Sequence, residues 1–226
     1  MNSSPDSIAR RDEFVAFAAA AGVLRFGSFT TKSGRQSPYF FNSGGFDTGA
    51  SLERLGQAYA DALLASGVEF DMLFGPAYKG ITLAAATAIG LARRGRDVPY
   101  VFNRKEAKDH GEGGLLVGAP LAGRVVIVDD VITDGAAKRE SVQMIRAAGA
   151  HPVAVLIALD RAERVTDDPH ALSAVQAFEQ SVGVPVISIV DVSDVVRLLD
   201  SRSTRSTEHG VFIDALHEYL RKYGSV

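Results

Sequence analysis

The chain contains no cysteine. That absence removes disulfides and thiolate nucleophiles together and makes a reducing, cytoplasmic setting the expected one. No apolar run approaches the roughly 20 residues of a membrane-spanning helix, and the polar first residues lack the apolar centre of a secretory signal, so no membrane partner is expected. Net charge is scarce as well. The 24 Lys and Arg set against 27 Asp and Glu leave −3, too small an imbalance for a nucleic-acid-binding face or an acidic tail. Histidine is sparse, and His110, His151, His170, His209 and His217 fall in no ligand spacing such as H-x-x-x-H, which argues against a metal site built by the protein itself. There is no repeat, no linker and no low-complexity tract. What is present is 226 residues, 46% hydrophobic and 23% charged, enough for a packed core in one domain, 1–226.

Along the chain, Ile8, Phe14, Phe17 and a run of alanines closed by Gly22 predict an amphipathic helix from Asp6 to Ala21. The stretch from Leu24 to Asp47 is β-branched and aromatic around the turn "SGRQ", which predicts a hairpin. Leu52, Leu55, Tyr59 and Leu63 recur at helical spacing and predict a helix from Ser51 to Ser66. After Gly67 the rhythm changes. Short apolar runs, "FDMLFG", "VPYVF", "RVVIVDD", "HPVAVLIALD" and "VPVISIV", alternate with helical patterns over Ile81–Arg93, Ala136–Ala148 and His170–Val182. Alternation of this kind predicts an α/β fold with a mostly parallel sheet flanked by helices. The tail from Thr207 to Tyr223 reads as a further helix. One long connection, from Arg104 to about Gly123, carries no pattern. It is charged and glycine-rich, as mobile functional loops are.

The most informative stretch is "VVIVDDVITDGAA", Val125 to Ala137. Four apolar residues read as a strand buried on both faces, and two adjacent carboxylates, Asp129 and Asp130, end it. Ligands of doubly wound sheets bind beyond the carboxyl ends of the strands. The turn that follows opens a helix, and its backbone N–H groups form a cradle for a phosphate. Carboxylates cannot hold the phosphate, but they accept hydrogen bonds from sugar hydroxyls or hold a divalent cation. The combination asks for a ligand such as a sugar phosphate. The plainer alternative is an acid pair that merely caps the turn; the apolar run before it and the Thr-x-Gly after it favour the ligand.

These residues resemble the phosphoribosyl-diphosphate (PRPP) binding motif of type I phosphoribosyltransferases. Further segments match in order: "KSGRQSPYFFNSG" (Lys32–Gly44), "FGPAYKGI" (Phe74–Ile81), "FNRKEAKDHGEGG" (Phe102–Gly114) and "ALDRAER" (Ala158–Arg164). Together they resemble the orotate phosphoribosyltransferase family. The resemblance implies a small N-terminal helix-plus-hairpin hood with a following helix over 1–66, an α/β core over 67–190 and a mobile catalytic loop over 104–118. It implies PRPP contacts from Lys32, Tyr78, Lys79, Arg104, Lys105, Lys108 and His110, from Asp129 and Asp130, and from the loop Val131, Ile132, Thr133, Asp134, Gly135, Ala136 and Ala137. It implies orotate contacts from Lys32, Phe40, Phe41, Thr133 and Arg161. It also implies catalytic roles for Lys108, Asp129 and Asp130, Mg²⁺ carried in on PRPP and held through Asp129, Asp130 and water, and a homodimer in which one subunit's loop reaches its neighbour's site.

Physical chemistry gives each segment a use. "GPAYKGIT" fails as an ATP-binding P-loop because Ile81 stands where the lysine belongs, yet a glycine turn opening a helix still suits a diphosphate. Cations closing over a departing diphosphate stabilise charge that develops in the transition state, and closure excludes water. Phe40 and Phe41, adjacent on a strand, must point to opposite faces. Arg161 suits a planar carboxylate through a two-pronged contact. Two departures stand out in the phosphate loop: Ala136 takes the place of a small hydroxyl residue, and Asp134 brings a negative charge, which is expected to face solvent.

The expected function is therefore transfer of the phosphoribosyl group of PRPP to orotate, giving orotidine 5′-monophosphate and diphosphate. Two rivals remain open. One is a PRPP-sensing regulator of the same fold, which would carry a nucleic-acid-binding module or a basic face. The other is a purine or uracil phosphoribosyltransferase, which would leave Lys32–Gly44 unexplained.

Overall fold

The computed structural model describes residues 5–31, 33–108, 114–203 and 207–225. Helix α1 (Pro5–Ala20) buries Phe14, Val15 and Ala18. The hairpin of β1 (Leu24–Thr30) and β2 (Gln36–Phe41) follows, its strands antiparallel. A short 3₁₀ turn, Ser43–Gly45, leads into α2 (Gly49–Ala65), whose first turn is closed by a reciprocal cap between Thr48 and Ser51.

The larger sheet then builds up from β3 (Met72–Gly75), β4 (Tyr100–Lys108), β5 (Gly114–Gly118), β6 (Arg124–Val128), β7 (His151–Asp160) and β8 (Val186–Asp191). Their spatial order is β5-β4-β3-β6-β7-β8, parallel throughout except for the antiparallel β4–β5 pair. Helices α3 (Lys79–Ala92), α4 (Ala136–Ala147) and α5 (Ala174–Val182) connect parallel strands, and α6 (Val192–Ser203) and α7 (Thr207–Tyr223) follow the last strand. Among the described residues no helix is long and apolar enough to cross a membrane.

Successive residues of β6 and β7 serve two apolar layers. Val126, Val128, Leu156 and Ala158 pack with residues of α1, α2, α3, α6 and α7; Val125, Ile127, Val155 and Ile157 pack with Val142 and Ile145 of α4 and Phe178 of α5. A strand covered on both faces has no polar side to show, hence the uninterrupted apolar run. Chain growth goes from β3 outward to β4 on one side and to β6, β7 and β8 on the other. That reversal opens a crevice at the carboxyl ends of β3 and β6.

Three sequence expectations change. The patternless connection after Arg104 is largely strand: β4 runs on to Lys108, which pairs with Gly114 of β5. The pairing of β4 with β3 ends at Phe102, and beyond it, as at the edge of a sheet, charged side chains are tolerated and hide the alternation. The helix expected from His170 begins instead at Ala174, because Ser173 and Gln176 form a reciprocal cap there. Helix α6 was not expected. Its stripe Val192, Val195 and Leu199 starts directly after β8 with no turn residue between, and Asp191 caps it by accepting from the N–H groups of Ser193 and Asp194.

Candidate active site

Two turns meet in the crevice. The first follows β3. A Cβ on Gly75 would lie 2.3 Å from the carbonyl oxygen of Gly80, and one on Gly80 would lie 2.8 Å from that of Val128. Only glycines let this turn press against the end of β6. The Ala77 N–H donates to Asn103 Oδ1 at 2.9 Å, tying the turn to β4. Tyr78 stands out at 71% exposure, with Lys105 Nζ 5.7 Å from its ring centroid. Lys79 Nζ reaches Asp130 Oδ2 at 2.8 Å and Asn42 Oδ1 at 3.0 Å.

The second turn follows β6. Asp129 and Asp130 are 8% and 7% exposed. Asp130 accepts from Lys79, from Ser43 Oγ at 3.1 Å and from the Val131 N–H at 2.8 Å. Asp129 Oδ1 accepts from the Asp130 N–H at 2.9 Å, and its Oδ2 lies 2.5 Å from Lys138 Nζ. From beneath, the hydroxyl of Tyr59 on α2 donates to the Asp129 carbonyl at 2.8 Å. Burial raises the Asp129 carboxyl above its ordinary value, Lys138 opposes this, and the neighbouring Asp130 adds to the rise. Burial likewise pushes the Tyr59 hydroxyl up, with Asp130 and Asp129 adding to the effect.

The loop then reaches Gly135, which caps α4 at a φ of 71° with no side-chain bond. Asp134 is exposed, as expected of a side chain that faces solvent, and its carboxylate also accepts from the Ala136 N–H at 3.0 Å. Arg139 Nη2 donates to the Asp134 carbonyl at 2.5 Å. Thr133, Ala136 and Ala137 are exposed, whereas the Ile132 side chain is buried in the core, leaving only its backbone for a ligand.

Arg161 extends from the end of β7. Its Nε and Nη2 donate to Glu163 Oε1 at 2.9 and 2.6 Å, Nη2 also approaches Ser37 Oγ at 3.2 Å, and the guanidinium lies 4.5 Å from the Tyr39 ring centroid. Glu163 thus occupies two of the donors that a two-pronged substrate contact would need. Phe40 is 36% exposed and stacks on Phe29, while Phe41 is 8% exposed, so the two rings take opposite faces. Arg104 Nη1 donates across the hairpin to the Gly114 carbonyl at 3.3 Å. Lys32, His110 and the side chain of Lys108 lie outside the described residues.

Tyr78, Lys79, Lys105, Asp129, Asp130, the loop to Ala137 and Arg161 thus all lie on or just past parallel strands of one sheet. Sequence reasoning passed over Asn42, Ser43, Asn103, Lys138 and Glu163. Lys138 left a readable signal, since it shares the spacing of Ser141, Val142 and Ile145 on the buried face of α4. Asn42, Ser43 and Asn103 are polar residues whose partners lie far along the chain, and Glu163 lies only two residues from its partner Arg161 in a segment where no periodic pattern marks it. A groove of about 540 Å³ among α1, α2 and β8 is lined by none of these residues.

A mostly parallel sheet with an acid pair and a glycine turn opening a helix at its switch point marks the class, and the family model for the phosphoribosyl transferase domain matches residues 47–187. An orotate phosphoribosyltransferase of Herminiimonas arsenicoxydans is 60% identical over 216 residues, covering 95% of this chain and 97% of that protein. One from Cupriavidus metallidurans is 55% identical over 224 residues, with 98% of each covered. The crystal structure of the Francisella tularensis orotate phosphoribosyltransferase superposes with a TM-score of 0.81 at 39% identity, covering 94% of this chain and all of that one. The chain belongs to the orotate phosphoribosyltransferase family, enzymes of pyrimidine biosynthesis.

Proposed function

We propose that this crevice binds PRPP and orotate and carries the phosphoribosyl transfer as follows. The loop from Val131 to Ala137 and the first turn of α4 take the 5′-phosphate through backbone N–H groups, four of which no helix can satisfy internally. Asp129 and Asp130 face the ribose hydroxyls. Tyr78 and Lys79, with Lys32, Arg104, Lys105, Lys108 and His110, face the diphosphate. The bond from the ribose C1 to the diphosphate oxygen breaks as the orotate ring nitrogen bonds to C1, through an oxocarbenium-like state, and the proton that this nitrogen carried passes to solvent. Cations of the β4–β5 hairpin stabilise the charge left on the diphosphate, with Lys108 the main catalytic group. Thr133 and Arg161 face the orotate carboxylate. With Nε and Nη2 of Arg161 held by Glu163, Nη1 is the donor that turns to substrate. Phe40 and Phe41 border the heterocycle, and Phe41 does so through its backbone.

Among the described residues no cluster of three carboxylates or histidines is placed to hold a metal, and each acid of the pair already has an ammonium at 2.5 or 2.8 Å. That donor set fits an ion brought by the ligand and contacted through water. Mg²⁺ brought in this way would neutralise charge on the diphosphate, and Asp129 and Asp130 orient the ribose hydroxyls. The functional unit is a homodimer in which the hairpin of one subunit serves the other's site.

The observation that carries this reading is the pairing of Asp130 with Lys79 at the switch point, one turn away from the phosphate loop. PRPP consumption, measured side by side with orotate, uracil, hypoxanthine and adenine, tests it. Consumption with orotate alone is expected; turnover of another base in preference to orotate, or of none, overturns it.

A further inference from the structure

Lys138 faces no substrate in the scheme above, where it serves only as the ammonium beside Asp129. It is 7% exposed, a rare environment for lysine unless the charge is paired. It stands in the first turn of α4, where the helix dipole disfavours a cation, so helix stability does not explain it. Helical side chains lean toward the helix N-terminus, and this one leans back over the phosphate loop to the acid pair. There Nζ lies 2.5 Å from Asp129 Oδ2 and donates to the Val131 carbonyl at 2.6 Å. One ammonium thus joins the first acid to the first residue of the loop.

Each acid of the pair consequently has its own protein cation, Lys138 on Asp129 and Lys79 on Asp130. The two ammonium groups differ in kind. Lys79 is half exposed and on the ligand side, free to swing to a diphosphate, whereas Lys138 is sealed in. Two adjacent buried carboxylates without such partners would be strong hard-cation ligands, since divalent ions choose anionic oxygen with few competing donors. We infer that Lys138 is a positioning residue that occupies the place of a divalent cation at Asp129. It holds that carboxylate oriented toward the ribose and keeps the acid pair of the substrate-free enzyme from taking up metal. This rests on the proposed placement of Asp129 and Asp130 at the ribose, and it explains why any Mg²⁺ arrives with the diphosphate.

The test uses Mn²⁺ as the probe, with the full chain and no PRPP, followed by electron paramagnetic resonance and calorimetry. Wild type should bind Mn²⁺ at least tenfold more weakly than Lys138→Met, which keeps the apolar stem and removes the charge. Lys138→Arg should behave as wild type, and Lys138→Met/Asp129→Asn should lose the gain. Equal Mn²⁺ binding by wild type and a folded Lys138→Met would overturn the inference. Should that variant not fold, the wild type decides alone: substantial Mn²⁺ binding without PRPP that Asp129→Asn abolishes would overturn it, and its absence supports it. Because no substrate is present, failure here leaves the assignment of the reaction to be judged separately by the four-base assay.

Discussion

At the scale of single residues, the loop proposed for the 5′-phosphate holds a competitor for that ligand. Asp134 places a carboxylate oxygen on the Ala136 N–H, the kind of donor a phosphate oxygen needs. A 5′-phosphate bound as proposed must displace it, and the exposed charge repels the incoming anion. Asp134→Ala should therefore tighten PRPP binding by roughly twofold to tenfold, from one net hydrogen bond of about 0.5–1.5 kcal/mol. The gain should shrink as salt rises. Calorimetry at two ionic strengths checks this, with Asp134→Asn expected between the two because it keeps the bond without the charge. Weaker binding by Asp134→Ala would mean that the carboxylate shapes the loop for its ligand. The sequence already showed the acid in the loop, but not where its oxygen goes. Side-chain direction within a turn is set by backbone torsions such as the left-handed Gly135, and these are legible only as a tendency of glycine.

At the scale of elements, what could be read was what repeats locally. The core strands betrayed themselves by apolar runs and the helices by spacing, whereas β5 and the part of β4 beyond Phe102 did not, because there β4 has passed the end of β3 and its charged residues hide any alternation. Contacts between distant segments were invisible too: Ser43 to Asp130 spans 87 residues and Arg161 to Ser37 spans 124. One such contact sets the position of the site. A Cβ on Gly56 of α2 would lie 2.3 Å from the Ala86 carbonyl of α3, and one on Gly90 would lie 2.5 Å from the Gly56 carbonyl. Gly56→Ala must push the helices apart, at about 1–3 kcal/mol. The melting temperature should fall by roughly 2–4 °C per kcal/mol in a chain of this size. Tyr59, one turn on, should carry the shift to Asp129 and raise the KM for PRPP. Calorimetric melting and steady-state kinetics read the two effects, and an unchanged melt would show that α2 and α3 are looser than described.

The opposite ends of the strands carry a different device. Asp71, just before β3, accepts from the side chain of Arg124, the first residue of β6, at 2.8 and 3.0 Å and from its N–H at 2.8 Å. The Arg124 side chain first and its N–H second bring the Asp71 carboxyl down from 3.8 to about 2. A lowered folded-state value means stabilisation that is complete above the ordinary value and lost as pH falls through about 2. Melting temperature should thus drop more steeply with acid in wild type than in Asp71→Asn, and the gap between them should close toward pH 2. A constant gap across that range would remove Asp71 as its source.

At the scale of the whole molecule, the proposed sharing of the hairpin between subunits has a direct assay. Lys108→Ala alone should lower kcat by roughly a hundredfold or more through lost transition-state stabilisation, and Asp129→Asn/Asp130→Asn should be inactive. Mixed after subunit exchange, the two should recover about a quarter of wild-type activity, since half of randomly paired dimers then contain one intact site of two. Subunits shown to exchange, yet inactive together, would mean that each site is built within one chain.

The far end of the chain bears on the same site. The Ser225 N–H donates to the Ala162 carbonyl at 2.9 Å, and Arg164 Nη1 donates to the Gly224 carbonyl at 2.7 Å. These bonds anchor the segment that begins with Arg161. An affinity handle, fluorescent fusion or surface tether attached after Ser225 pulls on that segment with every thermal movement of its cargo. Pro5 and Asp6, by contrast, are exposed at the start of α1, and a sensor or immobilised reactor built on this enzyme is better joined there.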